Sequence, residues 1–422
     1  MEILSVKEHE KLPVVQKREV GVHALSVTQA NALGRMEQHL PAGTFRWGHH
    51  SVKFAQYCGV IALGGLTLEV LPKIHGKEED PGACRQALIR MLYRAKRLKP
   101  ARGVGASISL QKHSLLDIFV LHFCNQLHAE LMQGMIRRYI EKNENLGVIK
   151  GRLRIGQQVK FNVAHKERLF CQFDELSADN PHNQILKYVL RMILRLPLGV
   201  NARKQVAELH MRFEAISDFH PNVSDLDKLS FDRSTNRYKA IFQQCRWFLL
   251  GLHPDVLAGK HTSFSLLFDM NKLFEAYVAS ELRKYAWRYG LRLREQGPQK
   301  YFVRRDDIDK PAFLLKPDMV LLDEAGGYFM IGDAKWKLLD DKERKLGVTQ
   351  ADLYQIASYA LRYGVDQVAL FYPRQKRLQE EIQMTIQGSH VTLHVIPVDI
   401  VNGLQLVGSL SSIFQLNIEK SA

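Results

Sequence analysis

The stretch Lys316-Pro-Asp-Met-Val-Leu-Leu-Asp-Glu-Ala-Gly-Gly-Tyr-Phe-Met-Ile-Gly-Asp-Ala-Lys-Trp-Lys337 decides how the rest of the chain is read. Met319–Leu322 and Tyr328–Ile331 are apolar runs of strand length. Between them Asp323, Glu324, Gly326 and Gly327 supply turn residues, so the pattern predicts a hairpin. Asp318 stands where the first strand begins, and Asp333 and Lys335 where the second ends. Side chains on a strand alternate with period two, which puts Asp333 and Lys335 on one face and Ala334 on the other. Closing the hairpin brings Asp318 to the same edge. Two carboxylates and one ammonium converging there suit Mg²⁺, which is held by one or two carboxylates, waters and a substrate phosphate. The ion lowers the pKa of a bound water, and a nearby Lys stabilises the negative charge that develops. An isolated Asp-x-Lys is equally compatible with an ordinary charged surface turn. The Pro-Asp upstream, with apolar strands between, favours a metal site.

The chain around this hairpin has 422 residues, enough for two or three domains with their own cores. A hydrophobic content of 46% is that of a folded globular protein. No apolar run approaches the roughly 18 residues of a membrane span. The start, Met1-Glu-Ile-Leu-Ser-Val-Lys-Glu-His-Glu10, has acids where a signal peptide would be basic and then apolar. The five cysteines (58, 84, 124, 171 and 245) are scattered and include no Cys-x-x-Cys, so neither a disulfide framework nor a zinc site is expected. A reducing, cytoplasmic location follows. The net charge of +15 suits a polyanionic partner such as nucleic acid. The excess is uneven: Arg90 to Lys112 holds seven Lys/Arg and no acid, and Arg137 to Phe170 nine against three Glu. Such runs are either solvated basic faces or phosphate-contacting patches.

In chain order, residues 1 to 80 read as a small β-rich domain. Strands are expected at Phe45–Trp47, Val52–Leu63 and Leu66–Ile74, the last two split by Gly64-Gly65, and a short helix near Thr28–Gln38. The pair His49-His50 has no third ligand and reads as loop. Residues 81 to 260 are mainly helical: Cys84–Leu98, Leu115–Tyr139, Asn180–Leu196, 201–216 and 236–252. One basic β-element, Gly147–Gln172, interrupts them, and the alternation in Gln158–Val163 predicts a strand. Ala258-Gly259-Lys260-His261-Thr262 is not a P-loop, because Pro254 stands in place of the first Gly and His261 follows the Lys. From 261 to 422 the pattern is a helix at Met270–Arg288, strands at Leu291–Arg294 and Tyr301–Val303, the hairpin, a helix at Gln350–Tyr363, and strands at Val368–Tyr372 and Val391–Val398. This order suits a mixed α/β sheet flanked by helices. Glu275 has apolar neighbours three, four and seven residues on, which puts its carboxylate either on a buried face, where it needs a metal or Lys partner, or at the border of that face, where it meets solvent. Gln355 and Tyr359, four apart, share one side of their helix.

Taken together, Pro317-Asp318, Asp333-Ala334-Lys335, Glu275 on the preceding helix and Gln355-x-x-x-Tyr359 on the following one resemble the PD-(D/E)xK nuclease fold. The Gln-x-x-x-Tyr element resembles its RecB-like branch. Three further stretches resemble the McrC family, the nuclease subunits of McrBC 5-methylcytosine restriction systems: Gly147-x-x-x-Gly151-Arg-Leu, Phe173-Asp-Glu-Leu-Ser-x-Asp179-x-x-x-Asn183, and Asp352-Leu-Tyr-Gln-Ile-Ala-Ser-Tyr359. Together they span roughly residues 85 to 420, and residues 1 to 80 lie outside the shortest members' pattern.

The resemblance implies a restriction-endonuclease-like core over 261–422 that cuts double-stranded, methylated DNA. It implies Asp318, Asp333 and Glu275 as Mg²⁺ ligands and Lys335 as the residue that positions water, with Gln355 and Tyr359 contacting DNA or bracing the site. It also implies a separate AAA+ GTPase partner that recognises methylcytosine, forms a ring and translocates DNA, while this chain binds no nucleotide. The Gly147–Gln172 element is then the candidate for insertion into the ring. A stand-alone RecB-like exonuclease needing no partner is the second reading. An adaptor with a vestigial nuclease is the third, and the intact carboxylate–lysine set argues against it.

Overall fold

In the computed structural model, the hairpin sits within a six-stranded sheet. Met319–Leu322 keeps its predicted limits, and the second strand runs farther, Tyr328–Ala334. They pair antiparallel, Met319 opposite Gly332, Val320 opposite Ile331 and Leu321 opposite Met330. The strand order is Arg292–Glu295, Met319–Leu322, Tyr328–Ala334, Gln367–Pro373, Thr392–Val398, Ile382–Thr385. Tyr328–Ala334, Gln367–Pro373 and Thr392–Val398 run parallel. Their nearly unbroken burial is that of strands covered on both faces. Helix Gln350–Tyr363 gives Ile356, Tyr359, Ala360 and Tyr363 to a core shared with Val320, Ile331, Val368 and Leu370. Helix Met270–Ala286 gives Leu273, Phe274 and Tyr277 to the core that holds Met319, Leu321, Met330 and Phe371. Successive strand residues thus feed opposite cores, as the pleat requires. The structure describes all residues except 1, 64–65, 78, 96–97, 99–112, 259–260, 338–347, 377, 402–412 and 415–422.

Two elements here depart from expectation. Tyr301–Val303 does not join the main sheet; Lys300–Arg305 pairs with Lys310–Leu315 as a separate ribbon. Its residues stay largely exposed. The edge strand Ile382–Thr385, too short and polar to signal itself, completes the sheet.

The N-terminal segment forms strands as expected, and helix Val27–Met36 starts at a capping box of Ser26 and Gln29. Its main sheet is finished by distant chain: the order is Glu2–Lys7, Leu66–Leu71, Tyr57–Leu63, His261–Asp269, Leu252–Ala258. The division expected at 260 therefore falls between two strands of one hairpin. His261–Asp269 pairs with Tyr57–Leu63 from Phe264 opposite Ala62 to Asp269 opposite Tyr57. Gly59 lies at the tightest approach, where a Cβ would meet the Leu266 carbonyl oxygen at 2.0 Å. Asp269 then caps helix Met270–Ala286 by accepting from Asn271 N–H, so this sheet leads straight into the helix that carries Glu275. The expected Val52–Leu63 strand is two, Ser51–Phe54 and Tyr57–Leu63, in different sheets. The Gly64-Gly65 turn lies outside the described residues, and His49 and His50 are exposed.

Between these sheets lie helices Pro81–Arg94, Leu115–Leu131, Pro181–Ile193, Val200–Met211, Val223–Asp227 and Lys239–Gly251. The helix predicted to reach Tyr139 stops at Leu131; Gly134, at φ 105°, turns the chain into strand Arg138–Leu146. The strand predicted over Gln158–Val163 is instead helix Ile155–Phe161. Gln158 explains the difference: its amide donates to the Arg168 carbonyl and accepts from Phe170 N–H, doing locally what a ladder would do. The flanking strands Arg138–Leu146 and Leu169–Ser177 pair along their full length. Part of the basic run, Lys96, Arg97, Lys99, Arg102 and Lys112, and Gly259-Lys260 of the P-loop-like stretch lie outside the described residues. All five cysteines are buried, and none is joined in a disulfide. Among the described residues no helix is long and apolar enough to cross a membrane.

Candidate active site

The register that pairs Met319 with Gly332 places Asp318 opposite Asp333 when continued by one residue. Residues directly opposite in an antiparallel pair share a face, so the two carboxyls meet. Asp318 is fixed by Ala334 N–H, which donates to its Oδ2 at 2.9 Å. Asp333 is buried, and its Oδ2 lies 2.6 Å from Lys335 Nζ. At that distance the ammonium and the carboxylate form a charge-assisted pair. Lys335 continues the extended backbone past the strand, its N–H donating to the Phe371 carbonyl, so the predicted shared face of Asp333 and Lys335 forms. Gly332, between them and the hairpin, has no room for a side chain, since a Cβ would lie 2.8 Å from the Phe371 ring.

The following helix braces the ammonium. Lys335 Nζ donates to Gln355 Oε1 at 3.0 Å, Gln355 Nε2 donates to Tyr359 Oη at 2.9 Å, and Tyr359 donates to the Lys316 carbonyl at 3.2 Å. This relay runs from the end of one strand to the residue before Pro317-Asp318. Asp352, one helical turn earlier, is capped by Thr349 and accepts from the Tyr372 hydroxyl at 3.2 Å.

Glu275 is placed differently from expectation. It is half-buried and accepts from Gln296 Nε2 at 2.8 Å, while Gln296 N–H donates to the Asp318 carbonyl oxygen at 2.8 Å. The fully buried acid of that helix is Glu281, paired with Lys284 at 2.7 Å and Arg94 at 3.5 Å. Among the described residues no three His, Cys, Asp or Glu side chains are drawn together closely enough to hold a metal. Asp318 and Asp333 meet as a pair, with Glu275 beside them on Gln296.

Electrostatics mark the pair as strained. Burial pushes the Asp318 carboxyl well above the ordinary carboxylate range, and the Asp333 and Glu275 charges push the same way. Burial also raises Asp333, against the pull of Lys335. Burial alone would lower the Lys335 ammonium, but the Asp333 and Asp318 charges outweigh it and the group is raised, hence protonated. Tyr359 is pushed up to about 12, chiefly by burial, and remains a phenol. Two carboxylates held together and largely buried fit a hard divalent cation, which would relieve both repulsion and desolvation.

A second contact joins the site to the N-terminal sheet. Trp336, next to Lys335, packs edge-on against Phe274, next to Glu275, with ring centroids 5.4 Å apart. Its indole N–H donates to both oxygens of Glu8 at 2.9 Å. Glu8 is buried, and desolvation pushes it up to about 7 although Lys73 N–H and Trp336 donate to it. Sequence reading missed Gln296 and Glu8, and it quoted Asp352 only as the start of the Asp352–Tyr359 stretch, without a role. Gln296 falls outside any residue-spacing motif, and Glu8 reaches the site only through a long-range contact.

Residues 52–373 match the family model described as McrBC 5-methylcytosine restriction system component. Among solved structures, the fold is similar to a chain of the refined half-complex from a tetradecameric assembly of Thermococcus gammatolerans McrB AAA+ hexamers with bound McrC. The TM-score is 0.73 at 17% identity, covering 100% of each chain. It is also similar to a chain of the cryo-EM structure of the Thermococcus gammatolerans McrBC complex, with a TM-score of 0.51 at 21% identity, covering 66% of this chain and 87% of that one. No curated protein sequence matches. With three quarters of its length inside the family match, the chain belongs to the McrBC 5-methylcytosine restriction system components.

Proposed function

We propose that this chain is the nuclease subunit of an McrBC-type system, a Mg²⁺-dependent endodeoxyribonuclease that cuts methylated double-stranded DNA beside an AAA+ GTPase. The observation that carries this reading is the buried Asp318–Asp333 carboxylate pair with Lys335 Nζ 2.6 Å from Asp333 Oδ2. Asp318 and Asp333 would hold the ion, with Glu275 available to it on leaving Gln296. Bound there, Mg²⁺ would supply a water of lowered pKa and offset charge on the phosphate. Lys335 is a cation rather than a base, so its ammonium orients the attacking water and stabilises the charge that builds on the phosphate oxygens. Gln355 fixes that ammonium, and Tyr359 ties the helix to the strand entering Asp318.

The partner reading has two supports. The similar Thermococcus assemblies contain McrB AAA+ hexamers with bound McrC, and the present sequence lacks a P-loop, which puts it on the McrC side. The module from Arg138 to Ser177 offers a contact surface: Val148, Ile149, Ile155, Val159, Phe161 and Val163 are each more than half exposed. Such clustered apolar exposure marks a protein contact. We take this module as the part that enters the ring.

The test is a plasmid assay. Methylated and unmethylated plasmid are incubated with this protein, with and without its AAA+ partner and nucleotide, in Mg²⁺ or EDTA. The expected outcome is linearisation of methylated plasmid only when partner, nucleotide and Mg²⁺ are all present. Degradation from DNA ends without partner would instead support the stand-alone exonuclease. Undiminished cutting in EDTA would refute the metal site.

A further inference from the structure

The parallel strands Tyr328–Ala334, Gln367–Pro373 and Thr392–Val398 end on the same edge of the sheet, where the candidate site lies. A cavity of about 310 Å³ opens there. Pro373, Arg374 and Asp399 line one side and Lys73, His75 and Lys77, just past strand Leu66–Leu71, the other. A second cavity of about 210 Å³ shares Lys73 and Pro373 with it and reaches Trp336 and Lys337. The two form one cleft that leads from beside Lys335 outward between the N-terminal sheet and the nuclease sheet.

Four cations line this cleft: Lys73, Lys77, Lys337 and Arg374. Two of them are engaged by acids, Arg374 by Asp399 at 3.2 Å and Lys337 by Asp352 at 3.7 Å, and Glu8 is held by Trp336 and Lys73 N–H. Lys73 and Lys77 are exposed, so their ammonium groups reach a ligand without leaving a packed position. Two exposed ammonium groups four residues apart, on a cleft leading away from the proposed phosphate-hydrolysing centre, fit a ligand with repeated negative charge.

We infer that this cleft carries the DNA backbone flanking the cleaved bond, with Lys73 and Lys77 gripping its phosphates; this rests on the nuclease reading of Asp318, Asp333 and Lys335. The N-terminal segment then forms the second wall of the DNA path, anchored to the catalytic strand by Glu8 and Trp336. Contacts of this kind neutralise phosphates and release counterions, so they set affinity and salt dependence and leave base sequence unread.

The experiment measures binding of a fluorescent duplex by anisotropy, with the full chain in EDTA so that no cutting intervenes, from about 50 to about 200 mM salt. Wild type is compared with Lys73→Ala/Lys77→Ala, with Lys73→Arg/Lys77→Arg, and with Lys204→Ala/Lys228→Ala as an exposed control pair. Two lost phosphate contacts lower the slope of log affinity against log salt by about 1.8, since each is worth about 0.9. The Arg pair and the control pair keep the wild-type slope, and thermal melting confirms that all variants are folded. A wild-type slope in Lys73→Ala/Lys77→Ala overturns the inference and leaves the nuclease reading standing. Failure of wild type to bind duplex at any salt overturns both.

Discussion

Replacing Glu8 by Gln isolates the contact between the N-terminal sheet and Trp336, and its effect is a function of pH. Burial moves this carboxyl from an ordinary 4.5 up to about 7. At about 1.36 kcal/mol per unit, the change amounts to about 3 kcal/mol. The sign follows from proton binding. Below 4.5 both folded and unfolded chains hold the proton, and the stabilising effect of the neutral acid is complete. As pH rises toward 7 the unfolded chain releases the proton while the folded chain retains it, and the stabilisation is lost. The amide introduced by Glu8→Gln cannot ionise, and its oxygen can still accept from Trp336 and Lys73 N–H. Whatever constant offset the amide brings, the difference in unfolding free energy shifts in favour of Glu8→Gln by about 2–3 kcal/mol between about pH 5 and about pH 8. Denaturant unfolding followed by tryptophan fluorescence at several pH values reads this directly. A wild-type-minus-variant difference that stays constant with pH refutes the reasoning, because Glu8 would then titrate as an exposed acid.

Three other variants probe the site from different sides. Lys335→Met removes the cation proposed to act on the phosphate and should lower the cleavage rate about 10²–10³-fold in single-turnover assays, with DNA binding retained. Gly332→Ala drives a methyl against the Phe371 ring and should cost about 1–3 kcal/mol, seen as a lowered melting temperature. Tyr359→Phe deletes the hydrogen bond to the Lys316 carbonyl and should cost about 1 kcal/mol of stability. If that loss comes without any drop in cleavage, Tyr359 acts only as a structural tie.

The hairpin was legible because everything that makes it is local. The apolar runs Met319–Leu322 and Tyr328–Ile331 and the glycine-bearing turn between them mark the hairpin, and its register brings Asp318 opposite Asp333. The i, i+4 spacing of Gln355 and Tyr359 likewise translated into a bonded pair. The limits appear where tertiary contacts decide. On helix Met270–Ala286 nearly every face is covered, so helical spacing could not tell Glu275, which is half-exposed, from Glu281, which is buried and salt-bridged. The pairing of His261–Asp269 with Tyr57–Leu63 joins segments far apart in sequence and leaves no mark in either. Polar alternation in Gln158–Val163 imitated a strand until the Gln158 side chain took the backbone partners. Glu8 shows the same limit at the site itself, since nothing in the sequence around it indicates Trp336 as its partner.

The most direct test of the central claim is Asp333→Asn, which keeps the shape of the buried side chain and removes its charge. Cutting of methylated plasmid and nucleotide hydrolysis by the AAA+ partner are measured in the same reaction with Mg²⁺. The account predicts that cutting is abolished while stimulation of the partner matches wild type. Plasmid cleavage at the wild-type rate by Asp333→Asn would contradict it.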